Sequence, residues 1–154
     1  MIPKKQTRLY KGSEFQSPQE RGNCFPAVIA SILEIEVDEV IQIQEYYDDN
    51  DWMSKLLNWL EERNLTYSNA DHFKCFHPDL HHQMRCDNDL DGYIEMLCNE
   101  NKDKYYFVVG RSPRSKSINH IVIFQNGTMV HDPHPDGTGI ETIEGFSMIE
   151  PKFS

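Results

Sequence analysis

Apolar residues fall along this chain in two rhythms, a helical one first and an alternating one after about residue 104. In the first part, CFPAVIASILEI carries Ala27, Val28, Ile29, Ile32 and Leu33 on overlapping helical faces. So rich a run predicts a helix buried on most sides. Asn23 stands at its N-cap position, and Pro26 falls in the first turn, where a missing N–H does no harm. Asp38 is placed to cap a second short helix, EVIQIQEYY. Trp52, Leu56, Leu57, Trp59 and Leu60 predict an amphipathic helix over about 51–63, with Asn64 as its stop. Asp89 or Asp91 is placed to cap a fourth helix, GYIEMLCNEN. Residues 1–22 read as extended and irregular, and 66–88 as less regular than their surroundings.

The segments YYFVVGR, HIVIFQ, TMVHD and ETIEGFSMI then read as strands. Helices first and antiparallel strands last predict an α+β fold, with helices packed on one sheet. HIVIF is apolar at both parities, which marks an interior strand covered on both faces.

Asn126-Gly127 between two apolar runs predicts a hairpin joining HIVIF to TMVHD. A two-residue loop would set His120 opposite Pro133 and leave Asp132 on the wrong face, across from Ile121. A three-residue loop, Gln125-Asn126-Gly127, would pair His120 with Asp132. Only an odd-length loop or an equivalent bulge joins the two, and the three-residue loop is the expectation, because a carboxylate beside an imidazole fixes the tautomer that a general base needs.

Composition narrows the function classes. At 154 residues the chain reads as one domain, 1–154, large enough to bury about two-thirds of the surface it exposes when unfolded. The net charge is −10, and Lys4, Lys5, Arg8 and Lys11 form no basic stripe, which argues against nucleic acid as a partner. By that field a basic or polar substrate segment would suit the chain better. No apolar run approaches the ~20 residues that span a bilayer, and no apolar stretch follows the basic N-terminus, so a cytoplasmic location is expected and no membrane contact. The cysteines at 24, 75, 86 and 98 then read as thiols before disulfides.

Among these, Cys24 stands where chemistry is favoured. A thiol at a helix start feels the positive end of the macrodipole and the unpaired first-turn N–H groups, which favour thiolate and can stabilise an oxyanion. With His120 and Asp132 on paired late strands, the chain holds the parts of a cysteine hydrolase in the order Cys, His, Asp. This chemistry calls for no cofactor and no metal.

NCFPAVIASIL resembles the DCGP-type cysteine helix of the bacteriocin-processing, double-glycine-leader peptidases and their relatives in the papain-like superfamily. NHIVIFQNGTMVHDPHPDGTG resembles their His strand, hairpin and Asp strand. The resemblance covers about 35 residues at the two ends of the chain. It implies a papain-like α+β fold with Cys24 as nucleophile, His120 as general base and Asp132 as its orienter. The chain departs from that pattern twice. The glycine after the cysteine is Phe25 here, and the oxyanion glutamine six residues before the cysteine is replaced by Pro18, with Gln19 nearest and Gln16 second.

His72, Cys75, His77, His81, His82 and Cys86 form a cluster of zinc-type ligands that matches no zinc-finger spacing, and it reads as an exposed loop of solvated histidines, with a loop bordering the active-site cleft as the alternative. His120, Asp132 and His134 could also be imagined as metal ligands, with His131 pointing away. The expected activity is acyl transfer on a short peptide tail, small amide or thioester. The alternatives are an inactive papain-like binding module and a His/Cys metal protein.

Overall fold

The run CFPAVIASIL winds into helix α1 (Cys24–Leu33) in a computed structural model that describes residues 1–9, 21–69 and 102–152. Every residue from Phe25 to Ser31 is buried, so the helix is enclosed on nearly all sides, as its unbroken apolar run demands. It stops at Glu34, which adopts a left-handed φ of 60° while its N–H returns to the Ala30 carbonyl. Helix α2 (Trp52–Glu61) is amphipathic, with Leu56 and Leu60 fully buried. The chain turns away from it at Asn64, whose φ is 58°. Among the described residues no helix is long and apolar enough to cross a membrane.

The expected helix over EVIQIQEYY does not form. Two 3-10 turns, Val37–Glu39 and Ile43–Tyr46, take its place, with Val40 extended between them. Val37, Val40 and Ile43 are the buried residues, and a spacing of three suits 3-10 geometry. The Gln42 side chain also donates to the carbonyls of Val37 (3.0 Å) and Val40 (2.9 Å), intercepting acceptors that a helix would use. Asp38 lies inside the first turn, and Glu36 holds the position before it.

The strands are β1 (Leu65–Asn69), β2 (Tyr105–Ser112), β3 (Ser115–Gln125), β4 (Thr128–His131) and β5 (Gly145–Pro151). They form an antiparallel sheet in the order β1-β5-β2-β3-β4. The fold is therefore α+β. β3 is an interior strand buried continuously from His120 to Phe124. Phe107, Ile121, Ile123 and Ile149 join the α1 and α2 side chains in the main core. Tyr106, Phe124 and Phe146 form a second aromatic group, with ring centroids 6.1–6.2 Å apart.

Two segments differ from their expected form. LTYSN, read as irregular beyond residue 65, is the edge strand β1 paired with β5. ETIE, read as the start of the last strand, is instead a strap. Its Glu141 and Glu144 N–H groups donate to the carbonyls of Arg111 (2.9 Å) and Val109 (2.7 Å). The expected helix GYIEMLCNEN and the cluster His72, Cys75, His77, His81, His82 and Cys86 lie outside the described residues.

Candidate active site

Cys24 is the first residue of α1, and its neighbour fixes it there. Asn23 is fully buried but does not cap the helix with its side chain. Its Oδ1 accepts from the backbone N–H of Thr7 (2.9 Å) and Arg8 (2.8 Å), and its Nδ2 donates to Thr7 Oγ1 and Gln42 Oε1. The expected cap is thus a clamp, binding the helix start to the N-terminal segment and to the turn before Ile43. Cys24 is a free thiol and remains partly exposed.

His120 and Asp132 are 4% and 5% exposed, and His120 Nε2 lies 2.6 Å from Asp132 Oδ1. The hairpin reaches this geometry by a different route from the one expected. The loop has two residues, with Gln125 opposite Thr128 and Phe124 opposite Met129. Val130 is then an extra residue, because Ile123 pairs with His131. That shift brings Asp132, one step beyond His131, onto the face of His120, which it contacts. The bulge does what the three-residue loop was expected to do.

Asp132 is held by more than the imidazole. Its Oδ1 also accepts from the His134 N–H (2.9 Å) and its Oδ2 from the Gly139 N–H (2.7 Å). Burial pushes its carboxyl up, but the bonds from His120, His134 and Gly139 outweigh this and hold it below the usual range. His120 shows the matching effect. Burial alone would lower it, while hydrogen bonds to Asp132 and Cys24 and their charges raise the imidazole to about 9. Cys24 and His120 line the same cleft, and the Cys24 charge is among the causes that raise the imidazole.

Cys24, His120 and His134 open on a cleft of about 790 Å³ that Tyr47, Trp52 and Tyr67 also line. Phe25 reaches this cleft but is 8% exposed, with its ring 6.2 Å from those of Tyr67 and Phe107, so Cys24 is not sealed beneath it. No family model, no curated protein and no solved structure matches the chain.

The two histidines beside Asp132 part company. His131 turns to the Lys4 carbonyl (2.7 Å), and its burial lowers its pKa. The His134 ring meets His120 edge-on at 6.2 Å. Burial, then the charge of Arg114, lower the His134 pKa, and its Nδ1 accepts the Asp136 N–H at 3.1 Å. Among the described residues, no group of three or more His, Cys, Asp or Glu side chains could hold a metal ion.

Gln16 and Gln19, the expected oxyanion side chains, lie outside the described residues. The glutamines that line the cleft among the described residues are Gln6 and Gln44, neither of which stood out in the sequence. Arg21 and Arg114 line it too. A signal for Arg114 existed, since Ser112-Pro113 makes a turn directly before the His120 strand. Nothing in the sequence marked the Gly139 N–H as a ligand of Asp132.

Proposed function

We propose that this chain is a cysteine-dependent hydrolase or acyl-transfer enzyme of papain-like kind, with Cys24 as nucleophile, His120 as acid and base, and Asp132 as orienter. The observation that carries the reading is the buried His120–Asp132 pair, 2.6 Å long, lining the same open cleft as the helix-start thiol of Cys24. The order of the three residues, with Cys24 opening a helix, His120 on β3 and Asp132 directly after β4, agrees with the papain-like resemblance.

In the first half-reaction the Cys24 sulfur attacks the carbonyl carbon of an amide or thioester, and the carbonyl electrons move to oxygen. The Cys24 backbone N–H, at the start of α1, is a donor for that oxyanion. As the tetrahedral intermediate collapses, the bond to the leaving nitrogen or sulfur breaks and the His120 proton passes to it. In the second half, His120 takes a proton from water or another acceptor, which attacks the thioester carbon. The carbon–sulfur bond then breaks and the thiolate returns. Asp132 keeps the ring oriented through both halves. A cleft of about 790 Å³ suits a short peptide tail or small amide.

The test is mass spectrometry of the intact protein mixed with a panel of small acyl thioesters. The expected result is a one-acyl mass increase on Cys24 that decays with hydrolysis and is absent from Cys24→Ala. An adduct that persists in Cys24→Ala, or no adduct and no turnover with any member, contradicts the reading.

A further inference from the structure

The chain carries 25 Asp and Glu against 15 Lys and Arg, yet none of the described residues lining the cleft is acidic. Arg21, Arg114, His120 and His134 line it instead. The carboxylates that balance the arginines stand behind them. Asp136 takes only Nη1 of Arg114, through both its oxygens (3.0 and 3.1 Å), with Thr138 Oγ1 beside it at 3.1 Å. The rest of that guanidinium edge has no hydrogen-bond partner among the described residues. Arg21 is fixed by the Gln44 carbonyl (2.7 Å) and by Asp48, whose side chain is 78% exposed and so is largely solvated.

Both cations line the cleft onto which the thiol opens. Arg114 acts on His134, which meets the His120 ring edge-on. Arg21 acts on Tyr47, which also feels the Cys24 charge. Overall charge favours a basic partner, but that long-range field is screened within about 8–10 Å in physiological salt. Inside the cleft the nearest charges decide.

Building on the acyl-transfer reading, we propose that the cleft selects substrates carrying a carboxylate next to the scissile bond, received by Arg114 and Arg21. A guanidinium edge offers paired N–H donors that fit a carboxylate, and a cationic substrate group would meet only like charge there.

Iodoacetate and iodoacetamide test this directly, because they differ only in a carboxylate against a carboxamide. Each forms a sulfur–carbon bond on Cys24 and releases iodide. The quantity read is the ratio of the two alkylation rates at Cys24, from peptide mass, divided by the same ratio for free N-acetylcysteine. The expected value is about fivefold or more above unity at low salt, falling toward unity in about 0.5 M NaCl. The His120 imidazolium attracts iodoacetate as well, so variants isolate the arginines. Arg114→Gln lowers the ratio about threefold or more, Arg21→Gln lowers it less, and Asp136→Asn, which removes the counter-charge, raises it. A ratio near unity in the unaltered chain, or one that Arg114→Gln leaves in place, overturns the carboxylate proposal while leaving the nucleophile reading intact. If Cys24 reacts no faster with either reagent than the other three cysteines, the nucleophile reading fails and this proposal falls with it.

Discussion

His120 Nε2 lies 2.6 Å from Asp132 Oδ1, and this contact depends on Val130 standing outside the strand pairing, although it takes part in neither side chain's bonding. As the extra residue between two paired positions, it shifts the parity of everything after it in the hairpin.

Deleting Val130 should therefore leave a regular two-residue hairpin in which His131 still pairs with Ile123, so that Asp132 stays on the His120 face. Val130 is 40% exposed, so the cost to the core is small. The expected result is a folded protein that keeps most of its activity. NMR titration should find the His120 pKa still raised to about 9. A pKa near the ordinary 6.5 in the deletion variant would mean that the bulge does not set the register.

Asp132→Ala removes the acceptor of the His134 and Gly139 N–H groups along with the His120 partner. With Asp132 only 5% exposed, three donors lose their bonds inside the protein. Urea denaturation should report a loss of about 3–5 kcal/mol. Asp132→Asn retains an acceptor oxygen and should cost less.

The pH dependence follows from the same pair. His120 is raised to about 9 from 6.5, so its contribution to stability is complete below about 6.5 and is lost as pH rises through about 9. Asp132 is lowered from 3.8, so its contribution is present above about 3.8 and is lost as pH falls through its native value. Urea midpoints should be highest between those limits. The rate should fall on the alkaline side near pH 9, where the imidazolium no longer supplies a proton to the leaving group. Cys24→Ala removes two of the causes that raise His120, and its NMR pKa should drop.

Gly110 pairs directly with His120 across β2 and β3. A Cβ at this position would lie 1.6 Å from the Thr142 carbonyl oxygen and 3.2 Å from Ile140 Cβ. Gly110→Ala must push the 140–144 strap outward, and with it the neighbouring Gly139 that donates to Asp132. A loss of about 2–4 kcal/mol in urea denaturation is expected, with activity reduced in the variant that still folds.

Local signals in the sequence were enough for α1, α2 and the strand pair around Asn126-Gly127, because burial and periodicity act within a few residues there. They also marked Cys24, His120 and Asp132. The bulge left no such signal, since Val130 is an ordinary β-branched residue and only the pairing of two strands reveals its surplus. β1 escaped notice because LTYSN is short and alternates only at Leu65 and Tyr67. The turns around Val37 and Ile43 depend on Gln42 capturing two carbonyls, a competition that helical periodicity does not register. The arginines of the cleft come from Arg21, just before α1, and Arg114, between β2 and β3, and only the fold brings them together.

The central claim is that Cys24 is a nucleophile activated by His120, and alkylation by iodoacetamide at about pH 6, resolved cysteine by cysteine, tests it most directly. Cys24 should react at least about tenfold faster than Cys75, Cys86 and Cys98, and His120→Ala should remove that lead. If Cys24 reacts at the rate of the other three, or keeps its lead without His120, the account is contradicted.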